Sequence, residues 1–313
     1  MKYTLIGISL LIPFLQTCNN LVGGNNDNNK SAQYASAAYL ATRTTGSTSC
    51  SSSTSTGTSV TNSTATIDNS TGCVSGVATC MDSSLPSWIK NNFKCAVGYI
   101  DSNGKYVFKS QNIPNHKSYY FGSTSPLYDS ATAGNPSTIA SQKLVYTIPS
   151  TPTKGTGTDS TQGGLVSIGM TVNGLAIYNN AAAPPDTLAK EAVSFDSFSG
   201  HPEGTGMYHH HAAVPKVCDN TTLVSNSASC NNSTLIGISL DGYAIYGQKC
   251  DNATSSTSDD FTPTDLDSLH GHTAKTTHFS TATYHYHYAY DSTATIYTLM
   301  GSYFYGNKGT VSN

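Results

Sequence analysis

The sequence predicts an all-β protein, a sandwich or a distorted barrel, built from two pseudo-repeated hairpin units behind a disordered N-terminal tether. Three observations favour this class. Tyr, which occurs 20 times, and Thr suit pleated, half-buried surfaces. Long stretches of the helix formers Ala, Leu, Glu and Lys are missing. Two hairpin-like segments recur in the C-terminal half, which is the strongest organisational signal in the chain.

Composition narrows the function classes. Only 11% of the 313 residues are charged and the formal net charge is -3, so the chain offers no basic field and a nucleic-acid partner is not expected. Hydrophobic residues make up 37%, below the average of globular domains. This value indicates a folded part diluted by a polar, poorly folding one.

The N-terminus is typical of an export signal. An apolar run from Leu5 to Leu15 follows one early Lys and is too short to span a bilayer as a helix, so residues 1–17 are predicted to be a removable signal peptide. Cys18, directly after the run, resembles the lipidated Cys of bacterial lipoproteins. We therefore expect lipidation at Cys18 and a lipid anchor that makes the membrane a partner, with the protein in the cell envelope, periplasmic or surface-exposed. A plain secreted protein is the alternative.

Residues 18–80 are predicted to form a flexible linker. From Thr42 to Thr71, 20 of 30 residues are Ser or Thr, and such segments bury too little apolar surface to offset the entropy of ordering. The β-rich domain is expected over residues 81–313. Within it, strands are predicted on both sides of Asn103-Gly104 and over Gln142 to Ile148.

The eight Cys of this exported chain predict disulfide bonds, because the compartment outside the cytoplasm is oxidising. If Cys18 carries lipid, seven remain, and an odd number leaves one thiol or an intermolecular bridge. There is no C-x-x-C pair, so thiol-based zinc or redox motifs are not supported. The spacing does not determine the pairing.

The repeated unit begins with a hairpin. IGMTVNGLAIY at 168–178 and IGISLDGYAIY at 236–246 match at six of eleven positions. Asn173-Gly174 and Asp241-Gly242 separate two apolar runs in each copy, which predicts a β-hairpin with a type I′ turn. These turn residues are interpreted as structural, Asp241 included. The two copies span about 165–214 and 234–290.

The repeat continues through two histidine motifs. FDSFSGH, ending at His201, matches LDSLHGH, ending at His272. Tyr208-His209-His210-His211 then matches Tyr284-His285-Tyr286-His287. The offset between copies grows from one motif to the next while the spacing inside each motif is held, as expected if loops absorb insertions between fixed elements.

Histidine is the residue type that indicates a functional site in this chain, because nine of the ten His fall between His201 and His287. In a strand, alternate side chains share a face, so His209 and His211 are expected to converge, and the three Tyr around His285 and His287 to occupy the opposite face. Such imidazoles are typical transition-metal ligands. The predicted metal ligands are two triplets, one in each copy: His201, His209 and His211; His272, His285 and His287.

Two carboxylates hold matching positions beside these triplets. Asp196 and Asp267 each lie five residues before the Gly-His histidine and are predicted either to complete the ligand set or to accept the second N–H of an imidazole. Imidazole with carboxylate suits copper, zinc or iron, and the pattern does not choose among them. It also leaves open whether the triplets form one site or two, and whether the protein is an enzyme.

These motifs resemble those of the YHYH-domain proteins. The resemblance rests on Gly-His-Pro with the first Tyr-His motif, on LDGYAIYG at 240–247, on Gly271-His272-Thr273 and on Tyr284-His285-Tyr286-His287, and it covers roughly residues 165–306. The first motif departs from the name, since His210 stands where the second Tyr is expected. The resemblance implies an exported protein with paired His motifs and implies no particular activity.

Three functions are compatible with this sequence. The first is metal binding or delivery, or metalloenzyme chemistry, through the two triplets. The second is a surface-exposed binding or adhesive β module in which the Tyr and His motifs are structural or form a recognition face. The third is a pH-responsive element, because clustered His ordinarily titrate near pH 6.5.

Overall fold

The computed structural model of the protein describes residue 50 and residues 57–130, 134–156, 159–161, 167–211 and 233–313. The predicted signal peptide, the lipidation at Cys18 and the linker up to residue 49 lie outside the described residues. The described chain is built mainly of strands, as predicted. None of its helices has the length and the apolar character needed to cross a membrane.

The strands are short and follow one another along the chain. In order they are β1 (Ile67–Asp68), β2 (Cys73–Val74), β3 (Cys80–Met81), β4 (Val97–Ile100), β5 (Tyr106–Ser110), β6 (Leu144–Ile148), β7 (Gly169–Thr171), β8 (Ala176–Ile177), β9 (Gly200–Pro202), β10 (Tyr208–His210), β11 (Leu235–Ser239), β12 (Ala244–Tyr246), β13 (Gly271–Ala274), β14 (Thr283–His287), β15 (Ala289–Asp291), β16 (Ile296–Thr298) and β17 (Thr310–Ser312). The helices are α1 (Ser87–Lys90) and α2 (Leu188–Glu191), with 3-10 turns at Asn62–Thr64, Tyr119–Phe121 and Ala192–Ser194.

Two open sheets form a sandwich. The smaller sheet has the order β17-β6-β5-β4-β3 and the larger has the order β13-β14-β12-β11-β7-β8-β10-β9. Apolar side chains of both sheets, among them Phe108 and Tyr146 from the first and Met170 and Ile245 from the second, meet in a common core. Neither sheet closes on itself, so the described residues form the predicted sandwich and not the distorted barrel.

The two sequence copies are related by a pseudo-twofold axis in the middle of the larger sheet. One half contains β7, β8, β10 and β9, and the other half repeats that order outward as β11, β12, β14 and β13. Met170 and Ile238 hold matching positions in the two copies and pair with each other across the antiparallel β7 and β11. The axis therefore passes between these two residues.

Matched glycines permit the close approach at this axis. A Cβ on Gly169 would lie 2.6 Å from the Ile238 carbonyl oxygen, and a Cβ on Gly237 would lie 2.3 Å from the Met170 carbonyl oxygen. Because these distances are shorter than any normal contact, both positions require glycine. The same residue type at the same place in both copies keeps the two halves in one continuous sheet.

The predicted hairpins form, but their turns are not of type I′. Gly174 and Gly242 have φ of +80° and +91°, whereas Asn173 and Asp241 are not in the positive-φ region that a type I′ turn requires of its first central residue. The Thr171 N–H donates to the Leu175 carbonyl, so each loop has three residues, with Gly at the last one. This is the turn-plus-bulge alternative for hairpins.

Asp241 is structural, as interpreted from the sequence. Its buried carboxylate accepts hydrogen bonds from the Tyr286 hydroxyl at 2.6 Å and from the Gly306 N–H at 2.9 Å. The hydrogen bond from Tyr286 ties the hairpin loop to β14, the strand that carries the Tyr-His motif of the same copy.

The prediction extends the flexible linker too far along the chain by ending it at residue 80. Residues 57–80 belong to the folded domain, where β1 and β2 form an antiparallel pair. The Asn62 side-chain amide donates to the Ile139 carbonyl, and the Gln111 amide donates to the Thr58 carbonyl. Long-range bonds to polar side chains hold a segment whose composition, taken alone, predicts disorder.

Disulfide bonds fix the same segment, as the cysteine content predicts. Cys50 pairs with Cys80 and Cys73 pairs with Cys95. The remaining Cys of the described chain, Cys250, is a buried thiol. Cys218 and Cys230 lie outside the described residues.

Candidate metal centres

The three histidines of the first copy converge on one point. His201 of β9 is the cross-strand partner of His209 of β10, and His211 follows one residue after β10 ends. Their nearest ring nitrogens all lie within 4.8 Å of one another, and the Nε2 atoms of His209 and His211 are 3.1 Å apart. All three side chains are buried. The predicted triplet therefore exists as a cluster, which we call the first centre.

The opposite ring nitrogen of each imidazole is held by the protein. His209 Nδ1 lies 3.0 Å from the Met207 carbonyl and His211 Nδ1 lies 2.6 Å from the Asn179 carbonyl, so both Nδ1 atoms are donors. His201 Nδ1 lies 2.7 Å from Ser194 Oγ, whose own proton is donated to the Glu191 carbonyl. Each Nε2 therefore carries a lone pair that faces the Nε2 atoms of the other two histidines. This arrangement is usual for metal-bound histidines.

Burial keeps these imidazoles neutral. It lowers the pKa of His201 to about 3 and that of His211 to about 4, and it holds the pKa of His209 well below the ordinary value of 6.5. The prediction that the cluster titrates near pH 6.5 is therefore wrong for these residues. At neutral pH three lone pairs point into a buried space, and His201 Nε2 has no hydrogen-bond partner among the described residues.

Glu191, at the end of α2, is the carboxylate of the first centre. Its Oε1 lies 3.7 Å from His201 Nε2 and its Oε2 lies 3.9 Å from His211 Nε2. Burial, with a smaller effect of Asp186, raises its pKa above the ordinary value. The sequence analysis missed this residue because it belongs to neither repeated motif. A usable signal was its rarity, since the chain has only two Glu, Glu191 and Glu203.

The second copy repeats the strand geometry. His272 of β13 pairs across the sheet with His285 of β14, as His201 pairs with His209. The Nδ1 of His285 lies 2.9 Å from the Thr283 carbonyl, and the Nδ1 of His287 lies 2.7 Å from the Gly247 carbonyl. These carbonyls hold the positions that match Met207 and Asn179 of the first copy.

The compact ligand group of the second copy nevertheless differs from the predicted triplet. It consists of Cys250, His272 and His287, whose ligand atoms lie within 4.8 Å of one another. His285 stands beside this group, with ring centroids 4.8 Å from His272 and 5.0 Å from His287, and its buried Nε2 has no hydrogen-bond partner among the described residues. We call the three-residue group the second centre.

Sequence reasoning treated Cys250 only as a disulfide candidate. Its thiol is brought to the histidines by the loop between β12 and β13, where the Cys250 N–H donates to the Phe261 carbonyl. Asp265, also missed, accepts from His272 Nδ1 at 2.8 Å. It lies seven residues before its histidine, as Ser194 does before His201, and that matched spacing was the available signal.

Asp196 and Asp267 do not complete the ligand sets and do not orient an imidazole, contrary to the prediction. The Asp196 carboxylate accepts from the Tyr208 hydroxyl at 2.8 Å and from the Gly200 N–H at 3.2 Å. The Asp267 carboxylate accepts from the matching Tyr284 hydroxyl at 3.0 Å and from a matching glycine N–H. The matched spacing of these carboxylates therefore reflects a repeated turn that packs a tyrosine.

The tyrosines of the motifs face away from the histidines, as predicted. Tyr284 and Tyr286 belong to the core between the sheets, with their ring centroids 5.3 Å apart, and both hydroxyls are hydrogen-bonded to aspartates. His210 shares the core-facing side of its strand and its Nδ1 lies 3.2 Å from the Ser199 carbonyl. Neither compact ligand group includes His210, His270 or His278.

The two centres are separate. β10 and β14 are five strand positions apart in the larger sheet, which corresponds to roughly 24 Å at about 4.8 Å per strand. The pseudo-twofold axis lies between the centres, so the two copies build two sites and do not share one.

Comparison with known proteins agrees with the motifs. Residues 145–264 match the model of a family described as YHYH protein. This range includes the first centre, the second hairpin and Cys250, and ends before His272. No curated protein and no solved structure matches the chain. The chain therefore contains a YHYH domain, as its motifs predict.

Proposed function

We propose that this protein is an extracytoplasmic lipoprotein whose YHYH domain binds two transition-metal ions, one at the first centre and one at the second. Copper, zinc and iron are the metals that imidazole-rich donor sets of this kind favour. Buried ligands support a binding or delivery role, because each imidazole of the first centre is only 2% exposed.

One observation carries the proposal. The Nε2 atoms of His209 and His211 lie 3.1 Å apart while both Nδ1 atoms face backbone carbonyls. Two lone pairs at this distance repel unless a cation lies between them. Nitrogens bound to one metal at about 2.0 to 2.1 Å in tetrahedral geometry are about 3.3 Å apart, close to the separation seen. This separation supports a shared ion.

The adhesive alternative has less support. A recognition face requires exposed aromatic and histidine side chains, whereas the Tyr and His of the two Tyr-His motifs are buried. A purely structural role for these motifs does not explain why the buried Nε2 atoms of His201 and His285 have no hydrogen-bond partner among the described residues.

Elemental analysis of the full-length protein, purified without a polyhistidine tag, tests the proposal. We expect two metal ions per chain after loading and dialysis, and one in the double variant His209→Ala/His211→Ala. The matched control is His278→Asn, which changes a histidine outside both ligand groups and should keep two. A wild-type chain that retains no metal, or a double variant that retains as much as the wild type, would overturn the proposal.

The lipid anchor is tested separately. Cys18→Ala should release the protein from the membrane fraction and remove the mass of the lipid from the N-terminal peptide. Unchanged membrane association in this variant would point to attachment by other means, whereas a wild-type protein that carries no lipid and is found outside the membrane fraction would support the plain secreted alternative. Neither result would affect the metal proposal.

A further inference from the structure

We propose that the second centre is a mononuclear copper site in which the Cys250 thiolate and the imidazoles of His272 and His287 form the ligand set. The inference rests on the proposed metal binding and goes further by giving the two centres different chemistry. A site with two histidines and one thiolate is a set that copper proteins use, and thiolate selects soft ions such as Cu(I).

The distances fit a sulfur-bound metal. Cys250 Sγ lies 3.5 Å from His272 Nε2 and 3.9 Å from His287 Nε2. A metal bound to sulfur at about 2.3 Å and to nitrogen at about 2.0 Å, with angles between tetrahedral and trigonal, places these atoms about 3.5 to 3.8 Å apart. The three ligand atoms thus already span one face of a coordination sphere.

Each ligand is held in place by a second contact. His272 Nδ1 donates to the Asp265 carboxylate and His287 Nδ1 to the Gly247 carbonyl, so both Nε2 atoms carry the lone pair that a metal needs. Two reciprocal backbone hydrogen bonds with Phe261 position Cys250, at 2.8 and 3.3 Å. Such outer contacts fix a ring or a thiol before the metal arrives and reduce the entropic cost of binding.

The surroundings favour a thiolate-bound ion over a hydrated one. Cys250 is 2% exposed and packs with Ala274 and Phe261 in a small apolar cluster. A desolvated thiol ordinarily resists ionisation, so a metal that takes the sulfur and releases its proton removes that cost. In the described part of the chain the first centre has no sulfur among its ligand groups and has Glu191 instead, which suits harder ions.

X-ray absorption at the copper edge tests the assignment. The full-length untagged protein is loaded anaerobically with Cu(I), with ascorbate as reductant so that the disulfides stay closed. We expect one sulfur neighbour per copper in the His209→Ala/His211→Ala variant, which keeps only the second centre. In Cys250→Ser the sulfur neighbour should vanish, while the copper at the first centre remains.

A control excludes the cysteines whose surroundings are not described. Cys218→Ser/Cys230→Ser should keep the copper–sulfur contact. Loss of the contact in this control, or copper with only nitrogen and oxygen neighbours in the chain that keeps only the second centre, would overturn the inference. That result would leave the proposed function standing, whereas the absence of bound metal at both centres in the wild type would overturn both.

A second variant covers the case in which Cys250→Ser fails to fold. Asp265→Asn keeps all three ligands and removes only the carboxylate that orients His272. We expect a loss of about 10- to 100-fold in Cu(I) affinity at the second centre, measured by competition with a chromophoric chelator. Ser194→Ala, the matched position of the first copy, should leave that affinity unchanged. Equal affinities in Asp265→Asn and the wild type would contradict the role of His272.

Discussion

Each clustered histidine uses its two ring nitrogens for different tasks. Nδ1 donates to a fixed acceptor, in most cases a backbone carbonyl such as that of Met207 or Thr283, and Nε2 points into the cluster. The backbone contact selects the tautomer, so the lone pair is in place without any rearrangement. The proposed metal binding therefore depends on ordinary peptide carbonyls as well as on the imidazoles.

His116, a histidine outside the clusters, provides a test of how burial changes the pKa of an imidazole. His116 stacks on Phe198 with ring centroids 3.9 Å apart, and burial lowers its pKa to about 4. The unfolded chain binds this proton near pH 6.5 and the folded chain near pH 4, so the stabilising contribution is complete above pH 6.5 and is lost as the pH falls. Each such group adds up to about 1.4 kcal/mol per pH unit to the acid sensitivity of folding.

His116→Phe keeps a ring against Phe198 and cannot titrate. We expect its free energy of unfolding to fall less steeply between pH 6.5 and pH 4 than that of the wild type, by up to about 1.4 kcal/mol per pH unit. Urea unfolding of both proteins in the presence of a chelator measures the difference. Parallel pH profiles would show that His116 does not titrate on unfolding.

The clustering of the histidines was predictable because its signal is local and repeated. Alternation along a strand puts His209 and His211 on one face, and the matched motifs identify His201 as the third member of the cluster. Glu191 and Cys250 were not predictable in the same way, since each comes from a non-repeated segment that the fold brings near. The aspartates show the converse error: Asp196 and Asp267 are matched because a turn is repeated, and not because a metal is bound.

At the scale of elements, hairpin loops set the position of the strands that carry the ligands. In both copies a three-residue loop ends in a glycine of positive φ, and a Cβ on Gly242 would lie 2.4 Å from the Pro149 carbonyl oxygen. The Gly is therefore needed for its backbone conformation and also for its lack of a side chain. Asp-Gly in the sequence predicted the hairpin correctly, but the loop length depends on how the flanking strands pair, which the dipeptide does not encode.

Gly242→Ala and Gly104→Ala separate these two effects. Gly104 has φ of +75°, and a Cβ on this residue would meet no atom within 4 Å, so alanine there costs only the backbone strain, about 1 to 2 kcal/mol. Gly242→Ala should cost about 1 to 3 kcal/mol more, because the carbonyl of Pro149 must move. Denaturant unfolding of the two variants compares them. Equal losses would mean that the contact with Pro149 is easily relieved.

At the scale of the whole molecule, a duplicated unit and an N-terminal segment are joined into one sandwich. The duplication makes one eight-stranded sheet with a centre near each end. The N-terminal segment packs against it, since a Cβ on Gly174 would lie 2.6 Å from the carbonyl oxygen of the disulfide-bonded Cys95. Composition alone assigned residues 57–80 to a linker, because Ser and Thr counts do not record long-range hydrogen bonds or disulfide partners.

The disulfides should stabilise the sandwich without contributing to metal binding. Cys73→Ala/Cys95→Ala opens a loop of 22 residues, and we expect it to lower the free energy of unfolding by about 2 to 4 kcal/mol. The metal content should stay at the wild-type value, because both centres are built on the larger sheet and its loops. Unfolding curves and elemental analysis of the same sample measure the two quantities. A variant as stable as the wild type would contradict the role given to this bond.

The most direct measurement of the central claim is an anomalous difference map from crystals of the metal-loaded protein, recorded at the absorption edge of the bound metal. The account predicts two peaks separated by roughly 24 Å. One should lie among the Nε2 atoms of His201, His209 and His211, and the other between Cys250 Sγ and the Nε2 atoms of His272 and His287. Empty clusters in metal-loaded crystals, or peaks only outside these two clusters, would contradict it.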